Sequence, residues 1–123
     1  MGAGFDDLDV YQQARELRRR VFKLTGLLPD RERYVLCPQM RRAALSVTNN
    51  IAEGHGSRSY RHNISYLYRS RGSVNELLDD LTACEDEAYF EQKHLDDLRE
   101  HAVRVAKLIN GYVAYLRRRI EEG

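Results

Sequence analysis

Apolar residues recur along the chain at alternating three- and four-residue steps, the spacing that lines one side of an α-helix. Val10, Ala14, Leu17, Val21 and Leu24 make the first such stripe, and Gly26 and Pro29 supply its stop. Asp6 or Asp7 stands where a cap is needed, so the spacing predicts a helix over 7–25. Met40, Ala44, Val47 and Ile51 form a second stripe that ends at Gly54. Its helix, within 31–54, is expected in two pieces: a short turn around Arg31 to Leu36, then a fresh start with Cys37 near the cap. Pro38 would take the first helical position, where its missing N–H costs little. Tyr60, Ile64, Leu67, Val74, Leu78, Leu81 and Cys84 predict a third helix over 59–88. Leu95, Leu98, Ala102, Val105, Ile109, Tyr112 and Leu116 predict a fourth over 93–120.

Short connections force consecutive helices antiparallel, and four stripes of comparable length are buried most simply around one core. The expected fold is therefore all-α, an up-down-up-down antiparallel four-helix bundle, with residues 1–123 forming a single domain. No segment alternates as a strand does, and no repeat of about 20–50 residues stands out.

One helix carries more than a core stripe. In QMRRAALSVTNNIAEGHGSRS, residues 39–59, the polar residues Gln39, Ser46, Asn50 and Glu53 share a flank beside the apolar one. The third helix offers a counterpart in YLYRSRGSVNELLDD, where Arg69, Ser73, Glu76 and Asp80 fall on one face. Gln39, Arg42, Ser46, Asn50 and Glu53 are thus expected to meet Ser73 and Glu76 in a hydrogen-bonded network or interface, with Arg42 paired to Glu53 or Glu76. A solvated polar face is the alternative. Gly72 and Gly111 lie inside predicted helices, where glycine costs about 1 kcal/mol relative to alanine, so a close approach by another group is expected at each.

The formal net charge of +1 conceals a segregation along the chain. Residues 11–71 hold 13 Lys/Arg against 4 Asp/Glu, a balance of +9, whereas residues 72–101 hold 2 against 10, a balance of −8. Such blocks either bind acidic partners or face each other within or between subunits. Arg18, Arg19, Arg20, Arg41, Arg58, Arg61, Arg69, Arg71, Arg117, Arg118 and Arg119 are the candidate phosphate contacts. Tyr60, Tyr66, Tyr68 and Tyr89 are able to stack on bases, although tyrosines at helical spacing more often serve a core or an interface.

Other chemistry finds little support. No run approaches the roughly 20 apolar residues of a membrane span, and MGAGFDDLDV is acidic where a secretory leader would be basic, so a cytoplasmic location without membrane partners is expected. Cys37 and Cys84 form no CxxC pair and read as reduced thiols in or near the core. His55 and His62 are seven residues apart, as are His94 and His101, a spacing that suits surface or helix-end histidines better than a helical metal site. GHGSRS follows a helix and lacks the Lys-Ser/Thr of a phosphate loop. Glu53 and Glu76 amid Arg42, Gln39 and Asn50 read as a structural network, so neither catalysis nor a cofactor is expected.

The segments FDDLDVYQQARELRRRVFKLT at 5–25, QMRRAALSVTNNIAEG at 39–54, GSVNELLDDL at 72–81 and AYF before the last helix together resemble a known family. It comprises the four-helix-bundle proteins encoded in intervening sequences of bacterial 23S ribosomal RNA genes. The resemblance covers nearly the whole chain in order. Its signature positions fall on Gln39, Arg42, Ala43, Ser46, Asn50, Ile51, Ala52, Glu53, Gly54, Gly72, Ser73, Glu76 and Leu77. Val47-Thr48-Asn49 stands where the family often has Ile-Pro-Ala, and Ala88 where a glycine commonly precedes Tyr89. The resemblance implies a left-handed bundle assembled as a homo-pentamer. Through more distant likeness to accessory proteins of diversity-generating retroelements, it also implies RNA or DNA and a reverse transcriptase as partners. Two functions are consistent with these residues: a non-enzymatic homo-oligomeric RNA-binding adaptor, or an assembly module that binds no nucleic acid.

Overall fold

A computed structural model describes residues 4–123, and every regular element among them is helical. Four α-helices carry the fold: α1 (Asp9–Thr25), α2 (Leu36–His55), α3 (Tyr60–Asp86) and α4 (Gln92–Glu122). One-turn 3-10 segments at Phe5–Asp7 and Asp30–Glu32 precede α1 and α2. α1 packs on α2 and α4, and α3 packs on the same two, which closes an antiparallel four-helix bundle. The apolar stripes meet in one core, with Leu17, Val21, Met40, Ile51, Leu67, Leu77, Leu81, Leu95, Val105 and Ile109 among its fully enclosed side chains.

The helix ends differ from expectation in instructive ways. Leu8, not an aspartate, is the N-cap of α1, because Asp6 and Asp7 are taken up in the preceding 3-10 turn; no side chain caps the helix. α2 is continuous from Leu36, and Pro38 is its third residue, still within the first turn, where a backbone N–H has no acceptor inside the helix. Ser59 caps α3 by accepting from the His62 N–H at 3.2 Å. At the other end of α3, Ala88 is left-handed with φ 53°. The Tyr89 N–H bonds Cys84 O at 3.1 Å and the Ala88 N–H bonds Glu85 O at 3.0 Å, the paired pattern of a Schellman stop. A side chain in that region is strained, so glycine would sit there more easily than alanine.

Several side chains depart from the predicted core, and Leu24 and Tyr112 are only half-buried. Tyr60 is exposed, since it is the first residue of α3 and its ring lies beyond the end of the core. Leu77 takes the buried place and leaves Leu78 half-covered. His101, expected at the surface, is buried between α1 and α4. There its Nδ1 pairs with Arg20 Nη1 at 2.8 Å and its Nε2 with Gln13 O at 3.2 Å. One neutral tautomer satisfies both contacts, donating from Nε2 and accepting at Nδ1.

Candidate nucleic-acid interface

The polar flank of α2 divides into an inner and an outer row. In the inner row Ser73 Oγ donates to Ser46 Oγ at 2.7 Å, and Asn50 Nδ2 donates to Ser46 Oγ at 3.0 Å and to Ser46 O at 2.9 Å. Ser70 Oγ donates to Val47 O at 2.8 Å, and Gln39 Nε2 to Asp80 Oδ1 at 2.6 Å. These short side chains stitch α2 to α3 while letting the two backbones lie close. Burial is the main reason the Asp80 carboxyl sits above its ordinary range; Gln39 partly offsets it, and its Oδ2 has no partner among the described residues. Arg42, Glu53 and Glu76 form the outer row. All three are exposed, and the described ion pairs include none between them; those are Arg99 with Glu85 and Asp96, and Arg104 with Glu100. Arg42 therefore does not make the expected pair.

The two interior glycines behave alike. A Cβ added at Gly72 or Gly111 would meet nothing within 4 Å, so the close approach expected at each does not come from this chain's described residues. Gly54 is different: a Cβ there would stand 2.5 Å from Asn63 Oδ1, 3.0 Å from Tyr66 Cβ and 3.1 Å from Asn63 O. Only a bare Cα lets the start of α3 fold back against the end of α2.

The candidate arginines separate by the helix that carries them. Arg18 donates to Thr48 Oγ1 at 2.8 Å, Arg20 holds His101, and Arg41 donates to Thr25 Oγ1 at 2.8 Å while lying over the Phe22 ring. These three guanidinium groups tie helices together. Arg19 remains exposed on α1. The others gather at one end of α3 and α4. Residues 58–71 contain Arg58, Arg61, Arg69 and Arg71 and no acid; residues 101–120 contain Arg104, Lys107, Arg117, Arg118 and Arg119 and no acid. The antiparallel packing of α3 on α4 lays these two acid-free stretches side by side, as the Arg71–Asn110 bond at 2.8 Å shows.

Tyrosines are interleaved with this charge. Arg71 and Arg117 both lie over Tyr68, at 4.7 and 5.8 Å from its centroid, and Arg117 also donates to its hydroxyl. Arg119 lies 5.9 Å from the Tyr60 centroid and donates to its hydroxyl at 3.4 Å, a bond that raises the guanidinium's pKa. Arg69 covers Tyr66 at 5.0 Å. Tyr115 is as open as these and stacks near Tyr112, 6.4 Å between centroids. Its place just off the α4 stripe gave no sign of a surface role beyond the acid-free stretch around it. Arg58, Arg61 and Arg118 are exposed without a described hydrogen bond or ion pair.

Beside this cluster a cleft of about 680 Å³ opens between the 56–59 loop and α4, lined by Leu8, Gly54, His55, Arg58, Tyr60, Asn63, Tyr112 and Tyr115 among others. A smaller one of about 440 Å³ follows, lined by Arg61, Ile64, Arg117, Ile120 and the acid Glu121. Asn63, buried on the wall of the first, donates from Nδ2 to the Tyr112 hydroxyl at 3.2 Å and turns its oxygen toward Gly54. No group of three or more His, Cys, Asp or Glu among the described residues is placed to hold a metal ion. Cys84 is enclosed beside Met40, and burial pushes its thiol up to about 11; Cys37 is a half-buried free thiol. No helix among the described residues is long and apolar enough to cross a membrane.

The fold and this surface define an all-α bundle whose α3–α4 pair carries arginines and tyrosines together toward one end. The profile of the 23S rRNA-intervening sequence protein family matches residues 6–111. The chain belongs to that family. A solved protein with unknown function from the S23 ribosomal protein family of Bacteroides thetaiotaomicron has the same fold. It is 20% identical, with a TM-score of 0.79 over 85% of this chain and 97% of that one. No curated protein matches the chain.

Proposed function

We propose that this protein is a non-enzymatic, cytoplasmic, homo-oligomeric RNA-binding adaptor that holds nucleic acid at the basic end of α3 and α4. The observation that carries this reading is the pairing of two acid-free stretches across the α3–α4 contact. Guanidinium groups that would repel one another lie there against tyrosine rings and hydroxyls, and none is in a described ion pair, although Glu121 and Glu122 stand close by on α4. Cations left without carboxylate partners are what phosphates neutralise. Assembly, as a pentamer by the family resemblance, would multiply the surface and give a reverse transcriptase or a ribosomal RNA several contacts at once.

The test is fluorescence anisotropy of a labelled RNA against the parent protein over a salt series. Binding that weakens by an order of magnitude or more between about 50 and 200 mM salt agrees with several phosphate contacts. An oligomer that binds no RNA at the lowest salt refutes the reading.

One observation favours the alternative, an assembly module. Gly72 is exposed in mid-α3 beside the outer row of Arg42, Glu53 and Glu76, with open space where a side chain would be. A neighbouring copy seated there would account for a residue that the isolated chain does not need. Gly72→Ala would then shift the oligomer toward smaller species in light scattering. On an unoccupied face, the same change stabilises the chain by about 1 kcal/mol and leaves its mass unchanged.

A further inference from the structure

The reading above asks only for phosphates; the tyrosines ask for more. Tyr60, Tyr68 and Tyr115 are 43%, 36% and 47% exposed, large fractions for aromatic residues in a chain with 11 of them and a well-formed core. Two of the three have their hydroxyls hydrogen-bonded by arginines of α4, Tyr68 by Arg117 and Tyr60 by Arg119. Tyr60 and Tyr115 also both line the larger cleft, one from α3 and one from α4, together with Arg58, which has no described hydrogen bond or ion pair. Its volume lies within the range of small-ligand pockets, about 300–1,000 Å³, and exceeds what a phosphate alone would fill. An open, ring-walled cleft beside a guanidinium suits a flat aromatic group joined to a phosphate.

We infer that this end of the bundle is a single-strand site: one unstacked base of an RNA enters the cleft between Tyr60 and Tyr115, and the adjoining phosphates run over Arg58, Arg61 and Arg117. The inference rests on the RNA-binding reading and adds to it the form of RNA bound. Bases of a duplex stack on each other and are closed to these rings, so a duplex reaches only the arginines. A single strand gains about 1–3 kcal/mol for each base placed on an aromatic ring, or roughly five- to 150-fold in affinity.

The experiment compares a labelled 12-nucleotide single-stranded RNA with a duplex of the same length at one ionic strength. Proteins are the parent, a Tyr60→Leu/Tyr115→Leu variant, and a Tyr60→Phe/Tyr115→Phe variant that keeps the rings. The parent is expected to prefer the single strand. The leucine variant should lose about tenfold or more on the single strand and nothing on the duplex, and the phenylalanine variant should bind as the parent does. Because the chain has no tryptophan, tyrosine fluorescence supplies a second readout on the parent alone, and the single strand should quench it. Equal affinity for strand and duplex, an unweakened leucine variant, or no quenching overturns the single-strand site while leaving phosphate binding intact. Failure of both RNAs to bind overturns the RNA-binding reading itself.

Discussion

The two ends of the α3–α4 pair are built from the same helices and hold opposite charge. At one end residues 76–87 bring six acids and no Lys/Arg; at the other, residues 58–71 and 101–120 bring nine Lys/Arg and no acid. The acidic end shares its half of the bundle with the arginine-rich end of α1 and the start of α2, where Arg18, Arg20 and Arg41 are spent on Thr48, His101 and Thr25. At the basic end Glu121 and Glu122 follow the α4 arginines and Asp6, Asp7 and Asp9 stand at the start of α1, yet none of these acids is in a described ion pair with them. The block of +9 along the chain is therefore two things in space: a structural half that ties α1 to its neighbours, and an open half backed by tyrosines. Charge segregation in a sequence becomes a binding surface only where the topology leaves it unanswered.

Substitutions at the two ends sharpen the contrast. The largest effect on folding is expected from Gly54→Ala at the basic end, where the added Cβ collides with Asn63 and Tyr66. It should cost about 1–3 kcal/mol in denaturant unfolding. Ser59→Ala, which removes the cap of α3 at the same end, should cost about 1 kcal/mol by the same measurement. At the acidic end the sign reverses: Ala88→Gly relieves a left-handed side chain and should add roughly 0.5–1 kcal/mol. A loss there would mean that the Schellman turn is not what ends α3.

The smallest effect is one of pH, in the seam between the ends. Burial first, and then the Arg20 charge, push the pKa of His101 below its ordinary value, so the fold prefers the neutral ring. As pH falls, the unfolded chain takes up the proton first, near pH 6.5. The stability contributed by neutral His101 is complete above that value and is lost as pH drops toward the depressed folded pKa. Thermal melts should show Tm falling from pH 7.5 to pH 5, with a shallower fall in His101→Gln. An equal fall in both would assign the dependence elsewhere.

Much of this was legible in the residues. The four stripes repeat at helical steps, so helix number, order and antiparallel packing follow from pattern alone, and most of the predicted core is enclosed. The polar flank of α2 was visible too, but pattern could not divide it: Ser46, Asn50 and Ser73 face inward while Arg42, Glu53 and Glu76, within a turn of them, face water. A few tens of degrees around a helix separate those fates, and spacing does not resolve them. His101 lies beside Ala102 and was invisible as a core residue because its burial depends on two partners from α1, distant in sequence. Tyr60 matched the apolar stripe of α3 but stands at the first turn, past the edge of the core, where the stripe has nothing left to cover it.

The most direct test sets the two halves of the arginine block against each other. Arg61→Gln/Arg117→Gln/Arg119→Gln removes three charges from the basic end; Arg19→Gln/Arg33→Gln/Arg42→Gln removes three exposed charges from the other. RNA anisotropy over a salt series should show the first triple variant weakened about tenfold or more, with its log–log salt slope reduced by roughly 2. The second should bind as the parent does. Equal losses in both variants, or none in either, would contradict a site localised to the tyrosine-bearing end.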